Sequence, residues 1–274
     1  MSEEGKCLRK ARGRLAETEN KEGQGISRRL IRLKGDDFDL EKLGRELSGN
    51  SIVRVFRHDK HHYLEVLHKA FETARQIYDY AKDVLVPAIN GIMRVRYPGF
   101  RNVEVDAIGE EKEDGRINHC FFVETSGELG VRSELVASVV TDNETVVHHI
   151  FESIAGVGER WLEVLLKEEG CLNAFRLYAA RPYDWVTLYK IFEIVESDGA
   201  PITNWVSKNQ VKRFTRTANS PKAVGLEKAR HGKERPSSSE SSFKPMSIQE
   251  ATRLIGIILE RWLEQKVSQC GSIA

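Results

Sequence analysis

Cysteine pairs, long apolar runs and catalytic signatures are what this sequence lacks. Its four cysteines, Cys7, Cys120, Cys171 and Cys270, are scattered, with no two at CxxC spacing. That excludes a disulfide framework and Cys–His zinc spacing, and predicts reduced thiols in a cytosolic, cytoplasmic chain. The longest apolar runs, Val84–Ile89 and Leu254–Leu259, fall far short of the roughly 18–20 residues of a membrane span. Met1–Leu15 is polar and basic without an apolar stretch, so no secretory signal and no membrane partner are expected. There is no Walker loop, GxGxxG, HExxH, GxSxG elbow or kinase signature, and Gly156-Val157-Gly158 is only two glycines in a helical pattern. These absences lean against an enzyme, and no metal or cofactor is expected.

What is present is ordinary globular material. The 274 residues are 40% hydrophobic and 30% charged, enough for a sizeable core and a soft expectation of two domains. The net charge of +1 conceals a partition. Residues 1–35 hold ten basic and five acidic groups, residues 206–235 hold nine and two, and the rest is net −11. A mildly acidic body therefore carries a basic tail and a basic C-terminal segment, and basic segments attract polyanions through counterion release.

The patterning predicts an α+β fold: N-terminal β-hairpins with a long helix, then an all-α C-terminal helical bundle. Residues 1–35 are expected to be a disordered basic tail, 36–140 an α+β domain, and 141–267 a helical domain with a flexible loop at about 200–245. Leu40, Leu43 and Leu47 mark a short helix. Ile52–Phe56 and Tyr63–Val66 form one hairpin, and Val103–Ile108 with Ile117–Val123 a second. The stripe Ala70, Ala74, Ile77, Tyr78, Ala81, Leu85, Ala88 and Ile92 is helical, with Pro87 predicting a kink or a fresh start. Val131–Val140 reads as a strand, with a short helix as the alternative. From residue 142 the period is helical, with Gly170 expected as a C-cap. Asp184 caps a helix closed by Gly199, and Ser247-Ile248-Gln249-Glu250 is a capping box. Trp161, Trp185 and Trp262 sit on apolar stripes and are predicted to share one core.

Two histidine groups invite a chemical reading. His61 and His62, beside His58, are adjacent on a strand and so face opposite ways, which disfavours a shared metal. His148-His149 on a helix diverge similarly. The sharpest pattern is the basic segment, with Lys212, Arg213, Arg216, Asn219, Lys222, Lys228, Arg230 and His231. Arg230 sets a fixed cation beside a group that titrates near neutrality, a pair suited to a phosphate. The plainer alternative is that Asn219 and His231 cap helix ends and that the acidic body neutralises the cations.

Leu188-Tyr189-Lys190 with Glu193, Thr217-Ala218-Asn219-Ser220, Ala229-Arg230-His231-Gly232, and Met246 with Glu250-Ala251 and Trp262-Leu263 together resemble the C-terminal region of abortive-infection-type bacterial proteins. More loosely, they are similar to HEPN helical domains. The resemblance covers about a third of the chain and implies a small bundle tied to RNA or to defence. The HEPN nuclease pattern places an arginine several residues before its histidine, whereas Arg230 and His231 are adjacent. It therefore implies a binding or regulatory bundle that contacts RNA or a nucleotide through 206–235. The alternatives are an RNA-cleaving enzyme with His231 as acid/base and Arg230 as clamp, or a structural protein whose helical half forms a homodimer.

Overall fold

A computed structural model describes residues 26–122, 157–225, 227, 229 and 244–271. The fold is α+β, with an N-terminal antiparallel sheet and a largely helical C-terminal half. The strands are β1 (Ile26–Lys34), β2 (Val53–His58), β3 (His61–Val66), β4 (Glu104–Lys112) and β5 (Ile117–Cys120). They pair in the order β2-β3-β1-β4-β5. Both predicted hairpins are present, and Asp59 takes a left-handed turn (φ 53°) in the first.

The central strand corrects the sequence reading. Residues 26–34, assigned to a disordered tail, form β1, which pairs with β3 and β4. Its arginines are held by carboxylates on neighbouring strands. Arg28 meets Glu65 and Glu111, Arg29 reaches Glu110 at 2.9 Å, and Arg32 reaches Asp106 at 2.6 Å. Leu30 and Ile31 are fully buried between them, one on each face.

One face of the sheet is covered by helices. Helix α1 (Asp37–Glu46) is capped by Asp36, and Leu40 and Leu43 lie in the core. A continuous helical run follows: α2 (Ala74–Tyr80), a π-helical turn (Ala81–Leu85) and α3 (Val86–Arg96). The π turn is how the helix absorbs Pro87. The Val86 N–H reaches back to the Ala81 carbonyl, so the register widens just before the residue that has no donor.

Helices α4 (Val157–Lys167), α5 (Glu169–Ala179), α6 (Trp185–Ser197) and α10 (Ile248–Gly271) build the C-terminal half. Gly170, expected as a C-cap, instead lies in the first turn of α5, because Glu168 alone separates α4 from α5. Asp184 caps α6 as predicted, accepting from Thr187 N–H at 2.6 Å, and Gly199 (φ 75°) closes it. Trp161, Trp185 and Trp262 are 2%, 7% and 2% exposed and belong to one core.

That core is continuous from sheet to bundle, and α3 is the joint. Gly91 on α3 lies so close to α5 that an added Cβ would stand 2.6 Å from the Phe175 carbonyl oxygen. One turn on, buried Arg94 donates to Ala179 O at 2.8 Å, at the carbonyl-rich end of α5 where the helix dipole favours a cation.

The span 200–225, placed in a flexible loop, is helical: α7 (Ile202–Trp205), α8 (Lys208–Ala218) and α9 (Pro221–Val224). Ser207 and Gln210 form a capping box that starts α8. Phe214 is fully buried against Trp185, Tyr189 and Phe192, which supplies the anchor that a polar stretch did not advertise. Val131–Val140, His148-His149, Ser237–Ser242 and Cys7 lie outside the described residues. Among the described residues no helix is long and apolar enough to cross a membrane.

Candidate functional site

Helices α8 and α9 lie in the described part of the basic segment. Between Gly199 and Leu226 the chain has no acidic residue and five cations: Lys208, Lys212, Arg213, Arg216 and Lys222. Steps of four residues set Lys208, Lys212 and Arg216 on one side of α8, about 6 Å apart along its axis. Phe214, Thr217 and Ala218 are buried on the other side. Lys208, Lys212 and Lys222 are exposed, and neither Lys208 nor Lys212 has an ion pair among the described residues. Arg216 is partly exposed.

Arg213 points elsewhere. Its Nη1 and Nη2 each lie 3.1 Å from a Glu250 carboxylate oxygen, and Nε and Nη2 donate to Lys244 O and Pro245 O at 2.9 Å. Glu250 also accepts from Ser247 N–H at 2.8 Å, and that bond, with Arg213 beside it, lowers its carboxyl to about 2. The capping box read from the sequence is therefore present, and Arg213 clamps it. Thr217 completes the seam: its hydroxyl donates to Arg213 O at 2.8 Å and accepts from Met246 N–H at 3.0 Å.

Asn219 is the C-cap of α8, and its buried Oδ1 has no hydrogen-bond partner among the described residues. Ser220 caps α9 through Ala223 N–H at 3.2 Å. Lys228, Arg230 and His231 lie outside the described residues. Sequence reasoning therefore named Lys212, Arg216 and Lys222 on this surface and passed over two neighbours. One is Lys208, whose four-residue spacing was visible. The other is Trp205, three residues before it.

A second cluster occupies the sheet face opposite the helices. Leu30, Tyr63 and Ile117 form a small core there, with Phe56 against them. Tyr63 stacks on Phe56 (centroids 5.9 Å) and on His119 (6.0 Å), and its hydroxyl lies 2.8 Å from His119 Nε2. Gly109 on β4 lies beneath this cluster; a Cβ there would stand 2.7 Å from Ile117 and in ordinary contact, 3.5 Å, with Tyr63. His61 stands edge-on to both rings, and Arg32 lies 4.8 Å over Phe121.

Burial governs the titration of this cluster. It raises Tyr63 to about 12 and lowers His119 to about 4, with Arg32 pressing His119 in the same direction. Burial also lowers His61 and His62. A 4%-exposed His119 held by Tyr63 is thus a neutral packing group, unsuited to reach a substrate. His61 is exposed on this face and His62 buried on the other, as the strand alternation requires. Among the described residues no three His, Cys, Asp or Glu side chains are grouped to hold a metal ion.

A cavity of about 210 Å³ lies between α5, α6 and α10, against Glu168, Cys171, Asp198 and Trp262. Lys266 bridges its two carboxylates, at 3.0 Å from Asp198 and 3.4 Å from Glu168. Burial raises the Cys171 thiol to about 12, which makes it inert.

No family model matches this chain, and no curated protein or solved structure is significantly similar to it.

Proposed function

We propose that this is a cytosolic nucleic-acid-binding protein of regulatory type, which contacts the phosphate backbone through the basic segment 206–235, within which α8 presents a row of cations. One observation carries the reading. Lys208 and Lys212 stand exposed in a four-residue row with Arg216, on a helix inside an acid-free stretch. Cations that served only the fold would each be expected to meet an anion, as Arg213 meets Glu250. Two lysines left toward solvent, Lys208 and Lys212, suit a polyanion, whose condensed counterions they displace. The resemblance to abortive-infection-type proteins points to the same ligand class and to a defence-linked role.

The test is direct binding of a fluorescently labelled RNA at low salt. The native chain is expected to bind, and Lys208→Ala with Lys212→Ala to bind more weakly while melting at the native temperature. Absence of binding by the native chain would refute the reading.

A further inference from the structure

From the placement of Trp205 we infer that the ligand of the α8 surface is single-stranded nucleic acid, with one base stacked on the Trp205 indole. The inference rests on the reading of α8 as a phosphate-contacting helix and adds what distinguishes one strand from two.

The chain has four tryptophans, and three of them are buried in the common core. Trp205 differs. It packs against the core on one side and is otherwise partly open to solvent. It ends α7, and only Val206 and Ser207, both extended, separate it from Lys208 at the start of the cation row. The Ser207–Gln210 capping box fixes where α8 begins, with Gln210 N–H donating to Ser207 Oγ at 3.2 Å. In chain order one partly exposed aromatic ring thus precedes Lys208, Lys212 and Arg216, which follow at successive turns of one side of α8. A strand laid along such a row sets phosphates beside the cations and leaves a base to meet the ring.

That combination selects between ligands. Cations recognise the backbone of either form, but an aromatic platform needs an accessible base face. A duplex keeps its base faces inside the stack, whereas a single strand offers them. The cations then supply salt-sensitive attraction, and Trp205 supplies the preference for an unpaired strand.

The experiment compares an unstructured oligouridine with an RNA duplex of equal phosphate count, on the full chain at fixed low salt. The native chain is expected to bind oligouridine more tightly and to show quenching of its solvent-accessible tryptophan emission as it does so. Trp205→Ala should weaken oligouridine binding by about 5- to 160-fold, the span of one base–aromatic stack, and leave duplex binding unchanged. Trp205→Phe should retain most of the preference. Lys212→Ala should weaken both ligands alike. Equal binding of the two ligands by the native chain would overturn the inference and leave the α8 reading standing. So would an equal loss on both ligands in Trp205→Ala, which marks a structural role. Failure of the native chain to bind either ligand would refute the α8 reading itself.

Discussion

Arg213 and Glu250 face each other in a two-pronged ion pair, 3.1 Å on each arm, across 37 residues of chain. The carboxylate caps α10, and the guanidinium also holds the carbonyls of Lys244 and Pro245 just before it. One arginine of the basic segment is thereby a structural clamp, while Lys212, its neighbour in sequence, is exposed. Arg213→Ala is expected to lower unfolding stability by about 1–2 kcal/mol, the sum of a weakened cap and lost backbone bonds. Lys212→Ala should stay within about 0.5 kcal/mol of the native chain. Urea denaturation of the two variants checks the contrast, and equal losses would contradict it.

Acid should weaken the sheet. His119 is held neutral in the fold, with a pKa of about 4 against 6.5 for the free side chain. The unfolded chain therefore binds the proton more readily, so the stabilisation is complete above about pH 6.5 and is lost as pH falls toward 4. The shift corresponds to about 3 kcal/mol. His61 and His62 are lowered as well and act with the same sign. Unfolding stability measured between pH 7 and pH 4 should fall steeply, and His119→Phe should flatten the fall. An unchanged slope in that variant would show that His119 is not its source.

The joint between the sheet and the bundle depends on one missing side chain. Gly91→Ala would gain about 1 kcal/mol of helix propensity on an isolated helix. Here its Cβ meets the Phe175 carbonyl oxygen at 2.6 Å, a backbone atom that moves only if α5 moves. Overpacking of this kind costs about 1–3 kcal/mol or more, so net destabilisation is expected. A melting temperature at or above the native value would mean that α3 and α5 separate freely.

Local signals were legible in the sequence. The Ser247–Glu250 capping box, the Asp184 cap, both hairpins and the three core tryptophans follow from spacing over a few residues. Strand β1 was not legible, because Arg28, Arg29 and Arg32 read as a solvated tail until Glu65, Asp106, Glu110 and Glu111 reach them from elsewhere in the fold. Helix α8 was missed for a related reason. Its only large buried apolar side chain is Phe214, too little to set a visible period. Of the candidate surface, the cationic excess was visible from composition. The separate task of Arg213 depended on Glu250, which only folding brings near.

The most direct test of the account is the salt dependence of RNA binding. The logarithm of the affinity for a single-stranded RNA should fall linearly with the logarithm of salt concentration, by about 0.7 for each phosphate neutralised. Replacing Lys208 and Lys212 together by alanine should flatten that slope by about 1 to 1.5. The account predicts a steep line for the native chain and a shallower one for the double variant. An affinity independent of salt, or the same slope in both proteins, would contradict it.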